Sequence, residues 1–251
     1  MKLRIPYSKS ITQRAIIISA LAEGESDLID PLISEDTEYL INALNKLEKH
    51  TSLFLGNNGT GVRFLTAYLT LTNLKRTVTG SKRMQARPIR DLVDALNKLG
   101  ADVSCKKGCP PVKINGREKL TGGKVQLKGG LSSQYLSAIL MVAPYAKKDV
   151  TVEIKGKLTS KPYVDLTIDI MKKFGVKVRN KNYKKFTVKA DQKYKPRKFE
   201  IEGDASSATY FQAIAHLTGK KITITNLPKN SLQPDSKFPK LLTGKPLNID
   251  L

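Results

Sequence analysis

Leu53-Phe54-Leu55-Gly56-Asn57-Asn58-Gly59-Thr60-Gly61-Val62-Arg63 is followed at once by an apolar helical run. Three glycines within six residues let the backbone turn tightly and approach a ligand closely, and the helix beyond them aims its first amides and its dipole at an anion. Arg63 adds a fixed positive charge one turn into that helix. A turn of this kind serves either chain reversal or anion binding. The residues placed around it have to decide between the two.

Upstream, residues 2–5 alternate basic and apolar as a short strand does, and Pro6-Tyr7-Ser8-Lys9-Ser10-Ile11-Thr12-Gln13-Arg14 leads into an apolar helix predicted over 15–21. Ser8 or Ser10 caps that helix, or Lys9, Ser10 and Arg14 face one ligand; Ser10 and Arg14, four apart, share a helix face. A lysine point charge and an arginine fork together suit a carboxylate or phosphate. A second helix is expected over 36–47, with an acidic start that suits its dipole.

Downstream, residues 76–80 read as a strand ending near Arg83-Met84-Gln85-Ala86-Arg87-Pro88-Ile89, where Pro88 suits a first helical position and Arg87 stands at the mouth of a helix over 89–99. Short strands around Val103 and over 112–114 and 124–127 precede Gly129-Gly130-Leu131-Ser132-Ser133-Gln134, where hydroxyls and an amide open another apolar helix. There they either cap the helix or bond a ligand. A strand over 150–155 leads to Thr159-Ser160-Lys161-Pro162-Tyr163 and a helix over 164–174. Strands over 176–179, 186–190 and 198–202 come next, then a helix over 208–217 and a strand over 221–225.

A repeat runs through this order. Asn42-Ala43-Leu44-Asn45-Lys46-Leu47 returns as Asp94-Ala95-Leu96-Asn97-Lys98-Leu99, and Ile168-Asp169-Ile170-Met171-Lys172-Lys173-Phe174-Gly175 is a looser third copy. Each copy is followed by a second helix opening at a Gly/Ser-rich turn, so the unit reads β-α-β-α-β-β. The fold class expected is α/β, with a lobe of three such units over 14–225.

Composition narrows the function. The chain has 251 residues, 40% of them hydrophobic, enough for a sizeable core. No apolar run is long enough to span a bilayer and the first residues lack a secretory apolar core, so the expected address is cytoplasmic. Two cysteines, Cys105 and Cys109, and two histidines, His50 and His216, show no metal-ligand spacing, and the cysteines read as two free thiols in a reducing compartment. The net charge of +22 fits either a nucleic-acid footprint or a lysine-rich surface around a small-anion site. Basic residues scattered along the whole chain, with aromatics at only 6%, favour the second.

Six motifs, in order, resemble the 5-enolpyruvylshikimate-3-phosphate synthase family: Ser8-Lys9-Ser10 with Arg14, Leu55 to Thr60 with Arg63, Arg87-Pro88-Ile89, Ser132-Ser133-Gln134, Ser160-Lys161-Pro162-Tyr163, and Glu202-Gly203-Asp204-Ala205-Ser206-Ser207. The resemblance implies an enolpyruvyl transferase-like inside-out α/β barrel lobe, half of a two-lobed enzyme of aromatic amino-acid synthesis. It places shikimate 3-phosphate on Lys9, Ser10, Arg14, Ser132, Ser133, Gln134, Ser160 and Tyr163. Phosphoenolpyruvate falls to Lys9, Gly59, Arg87 and Gln134, with Asn57, Thr60 and Arg63 lining its pocket, and Lys9 as the catalytic candidate. It implies no metal or organic cofactor, no nucleic acid or membrane partner, and a second chain for the remaining lobe if the enzyme is split.

The chain departs from the family pattern at Tyr7, at Phe64 where proline is common, and at Pro234 where glycine is usual. Residues 1–13 and 226–251 read as crossover strands and an incomplete second lobe, with Lys245 to Leu251 resembling the strand before the family's catalytic aspartate. That aspartate, the catalytic glutamate and the later cations have no counterpart, which leaves a binding-only lobe as the alternative.

Overall fold

The structure is a computed structural model that describes residues 1–130 and 132–242. The strand expected over 245–251 lies outside them. In chain order the elements are β1 Lys2–Leu3, α1 Lys9–Leu21, β2 Asp27–Ile29, α2 Glu35–Asn45, β3 Ser52–Phe54, α3 Gly59–Leu69, β4 Lys75–Thr79, α4 Lys82–Gln85 and α5 Arg90–Lys98. They continue with β5 Val103–Lys106, β6 Cys109–Asn115, β7 Gly123–Lys128, α6 Ser133–Val142, β8 Val150–Lys155, α7 Lys161–Lys173, β9 Val178–Lys181 and β10 Lys185–Val188. The last are β11 Lys198–Glu200, α8 Ala205–Thr218, β12 Thr223–Ile224 and α9 Phe238–Leu242.

Two four-stranded sheets have the same plan. One runs β3-β4-β6-β5 and the other β7-β8-β10-β9, each with a parallel first pair and two antiparallel pairs after it. A parallel pair needs a helical crossover, and α3 and α6 supply it. A third parallel pair joins β2 to β11, the strand before α8, and β1 pairs with β12. Strands from the two ends of the described chain are thereby joined edge to edge.

Helices α1, α3 and α6 are apolar nearly all round and buried along most of their length, as core helices must be. α3 packs on α1 and α6, and α7 closes the ring by packing on both α6 and α1. The outer helices α2, α5 and α7 bury one stripe each, Leu92, Val93, Ala95 and Leu96 in α5 for example. Those stripes coincide with the repeated sequence copies, because one amphipathic helix in each unit covers the sheet from outside. Each fully buried Leu or Ile contributes on the order of 1.5–3 kcal/mol.

Several boundaries differ from the sequence expectation. α1 begins at Lys9, not at residue 15, because Thr12, Gln13 and Arg14 are polar yet buried and break the apolar signal without breaking the helix. Ser8 occupies the cap position of α1, but its hydroxyl donates to Gln233 Oε1 at 2.8 Å. Pro88 lies outside α5, which starts at Arg90 after an Ile89 cap, and its carbonyl instead receives Arg63 Nη2 at 2.8 Å and Tyr135 Oη at 2.6 Å. α4 was not foreseen; it is a single turn capped by Ser81. α8 starts at Ala205, ahead of residue 208, because Asp204 caps it through the Ser207 N–H at 3.0 Å.

Cys105 and Cys109 are free thiols on the β5–β6 hairpin. Among the described residues no helix is long and apolar enough to cross a membrane.

One buried polar cluster ties the helix ring together. Thr167 Oγ1 on α7 accepts Arg14 Nε from α1 at 2.7 Å and lies 2.8 Å from Ser137 Oγ on α6. Thr167→Val keeps the shape and leaves the buried guanidinium N–H without an acceptor, so the unfolding free energy is expected to fall by about 1–3 kcal/mol, read from the urea midpoint. Thr167→Ser, which keeps the hydroxyl, should stay close to wild type.

Candidate anion site at the helix N-termini

The turn from β3 into α3 is pinned before the helix starts. Leu55 N–H donates to Thr79 O at 2.9 Å, Ser81 N–H to Gly56 O at 2.9 Å, and the Ser81 hydroxyl to Asn57 Oδ1. Asn58 then caps α3 through the Gly61 N–H at 2.7 Å. At Gly59 a methyl group would lie 2.4 Å from Arg87 Nη1 and 2.7 Å from Arg63 Nη1, so only glycine lets two guanidinium groups close on the first turn. Arg87, exposed, donates to Asn57 O at 3.4 Å. Arg63, 3% exposed, donates to Gly59 O at 2.7 Å and Pro88 O at 2.8 Å and lies over the Tyr135 ring. Burial lowers the Arg63 pKa, the Tyr135 ring opposes that, and nearby Arg87 lowers it further. Arg63 therefore braces the turn while Arg87 faces outward.

Gln134, at the start of α6, donates through Nε2 to Thr60 Oγ1 at 3.1 Å, which sets the first turns of α3 and α6 side by side. Ser132 caps α6 through the Gln134 N–H at 3.3 Å, and Ser133 is buried next to it. Ser132 thus caps the helix with its oxygen, and its hydroxyl keeps a proton to donate.

Lys9 opens α1 and pairs with Asp36 Oδ2, in the first turn of α2, at 3.0 Å. Arg14, one turn further in, is 2% exposed. It donates to Thr167 Oγ1, to Ser10 O at 2.8 Å and to Tyr163 O at 3.4 Å, and its guanidinium carbon lies 5.3 Å from the Phe64 ring centroid and 6.0 Å from that of Tyr163. Burial lowers its pKa from 12.5 to about 10, with Tyr163 opposing, so the group stays charged at neutral pH. Burial, with Asp235 and Asp204 adding to it, raises the Tyr163 phenol against the opposing pull of Arg14. Ser160 holds φ 53° and ψ 40° immediately before α7, a left-handed conformation that costs a non-glycine residue about 1 kcal/mol or more.

These links bring the first turns of α1, α2, α3, α6 and α7 to one end of the molecule. Positive dipole ends meet there with Lys9, Arg14, Arg63 and Arg87. An arrangement of that kind has the chemistry of an anion site with hydroxyl and amide partners for a polar ring.

The family model described as EPSP synthase (3-phosphoshikimate 1-carboxyvinyltransferase) matches residues 1–52 and 46–243. The chain belongs to the EPSP synthase family. Curated relatives named 3-phosphoshikimate 1-carboxyvinyltransferase include those of Shewanella pealeana, 45% identical over 96% of this chain, and Shewanella piezotolerans, 44% identical over 99%. The chain spans 62% and 64% of their respective lengths. An EPSP synthase structure from Acinetobacter baumannii superposes with a TM-score of 0.80 at 23% identity, covering 92% of this chain and 56% of that one. The fold is the one the motifs implied, an α/β lobe of repeated β-α-β-α-β-β units.

Within this chain the structure links Asn57, Gly59, Thr60, Arg63, Arg87 and Gln134 through direct contacts. Ser10, Arg14 and Tyr163 form a second linked group and Lys9 a third, through Asp36. Sequence reasoning did not single out Asp36, Asn58, Ser137 or Thr167. The acidic start of α2 suits the helix dipole, and the Asp36 carboxylate also faces Lys9. The departure at Phe64 has a consequence as well, since its ring lies against the Arg14 guanidinium.

The left-handed Ser160 makes a stability prediction. Ser160→Gly should leave the urea unfolding free energy unchanged or raise it by up to about 1 kcal/mol, because relief of strain and the extra freedom of the unfolded glycine nearly offset. Ser160→Val, β-branched, should lower it by about 1–3 kcal/mol.

Proposed function

We propose that this chain carries the part of an enolpyruvyl transferase that grips shikimate 3-phosphate and the near side of phosphoenolpyruvate. The observation that supports it is the meeting of helix N-termini with Lys9, Arg14 and Arg87 at one end of the molecule. Residues 14–225 form the proposed lobe, with 1–13 and 226–251 as crossovers toward the remainder of the enzyme.

In this reading Lys9, Ser10, Arg14, Ser132, Ser133, Gln134, Ser160 and Tyr163 hold shikimate 3-phosphate. The hydroxyls and the Gln134 amide suit the ring hydroxyls and phosphate, and the cations suit the charges. Lys9, Asn57, Gly59, Thr60, Arg63, Arg87 and Gln134 form the phosphoenolpyruvate side. Arg87, reaching over Gly59, is the outward cation, and Arg63 holds the turn beneath it.

The reaction adds a ring hydroxyl of shikimate 3-phosphate to the enol carbon of phosphoenolpyruvate, with a proton delivered to its methylene carbon, and phosphate then leaves as the resulting methyl group gives up a proton to restore the double bond. It requires a base at the hydroxyl and an acid at carbon. In this reading Lys9 is the catalytic candidate at the reacting centre, and turnover further requires the portion of the relatives' length that this sequence does not span, on the same or a second chain. Closure of both portions around the substrates supplies the reactive geometry. A binding-only role follows if that portion is never supplied.

The decisive experiment follows phosphate release from phosphoenolpyruvate with shikimate 3-phosphate present, using the chain alone and the chain mixed with a polypeptide carrying the remaining third of a relative. Release only in the mixture is expected; release by neither, together with no ligand-induced rise in melting temperature, overturns the proposal. Gly59→Ala drives a methyl into the Arg87 and Arg63 guanidinium groups. Phosphoenolpyruvate affinity should fall about tenfold, the worth of one charge-assisted contact, while shikimate 3-phosphate binding changes little.

A further inference from the structure

Asn58 sits in the turn that opens α3 but is not among the residues assigned to either substrate. Its side chain is 1% exposed and both polar atoms are committed. Oδ1 accepts the Gly61 N–H at 2.7 Å, and Nδ2 donates to the Asp36 carbonyl at 2.7 Å. The first bond is a helix N-cap. The second reaches across to the first turn of α2 and grips the backbone of the residue whose carboxylate pairs with Lys9.

We propose that Asn58 is a positioning residue for Lys9, acting through Asp36. It locks the first turn of α2 against the first turn of α3, so that the Asp36 carboxylate holds the lysine at the mouth of the anion site. The pose requires one group that accepts on one side and donates on the other across the gap between the two helices, which a primary amide does, whereas a carboxylate cannot donate and a short hydroxyl cannot span both partners. It also requires glycine at 61, because a methyl there would lie 2.4 Å from Asn58 Nδ2 and 2.8 Å from Cγ. Asn58 and Gly61 thus form one device: the amide fills the space that any side chain at 61 would take. The inference rests on the substrate reading only for what Lys9 then binds.

The two bonds of Asn58 can be separated. Asn58→Ser keeps a neutral cap for α3 and removes the amide that reaches Asp36. In the unliganded full chain, the rate at which acetic anhydride acetylates Lys9 Nζ is read by mass spectrometry. Asn58→Ser and Asp36→Asn are expected to speed Lys9 acetylation by similar factors, about two- to fivefold for a half-exposed ion pair, with the other lysines unchanged. In the Asp36→Asn background, Asn58→Ser should add nothing, because both act on one link. Gly61→Ala, which evicts the amide and leaves residue 58 intact, should release Lys9 equally and serves if Asn58→Ser does not fold.

Lys9 acetylation at the wild-type rate in Asn58→Ser or Gly61→Ala, or full additivity with Asp36→Asn, overturns the proposal. Failure of the wild-type chain to bind phosphoenolpyruvate or shikimate 3-phosphate counts against the substrate reading alone, since the labelling is read without ligand.

Discussion

A buried guanidinium with no carboxylate paired to it among the described residues is the constraint around which this lobe is built. Taking Arg14 out of water is costly, and no described anion offsets that cost. The surroundings answer with neutral partners: the Thr167 hydroxyl, the Ser10 and Tyr163 carbonyls, and the faces of Phe64 and Tyr163. A hydrophobic residue of similar volume would pack there without the desolvation cost. A retained charge without an internal counter-ion makes sense if an external anion completes it, and that expectation runs through the whole functional proposal.

The same helices that shelter Arg14 set the rest of the site. Because α3 and α6 are joined at their first turns through Gln134 and Thr60, and α1 and α7 through Arg14, dipoles and side-chain cations converge at one end. The outer portion is looser. The Lys9 side chain is about half exposed and held, among the described residues, by one ion pair, so it can exchange partners readily, whereas Arg63 is fixed by two backbone carbonyls. Rigid and exchangeable cations therefore sit within one site.

The repeat was legible because it rests on periodicity. The amphipathic outer helices α2, α5 and α7 expose one polar face each, and that pattern survives in the sequence, as does the alternation of β8, read to the residue. Misplaced boundaries share a cause. Thr12, Gln13 and Arg14 look like a loop because they are polar, yet all three are buried and the hydrogen bonds of Thr12 and Arg14 lie inside the core, and Pro88 looks like a helix start because its role as a carbonyl acceptor leaves no mark in the sequence. The candidate site residues stand in recognisable motifs, but the ties between them leave no mark in the sequence. Asn58 to Asp36 is a side chain meeting a distant main-chain oxygen, and any residue at 36 would present that oxygen.

The most direct test of the account is a calorimetric titration of the isolated chain with shikimate 3-phosphate, repeated with Arg14→Met. One saturable site in the wild type, weakened by added salt and abolished in a folded Arg14→Met chain, is the result predicted. A folded wild-type chain that takes up no shikimate 3-phosphate, or an Arg14→Met chain that binds it equally well, would contradict the claim that this buried charge awaits an external anion.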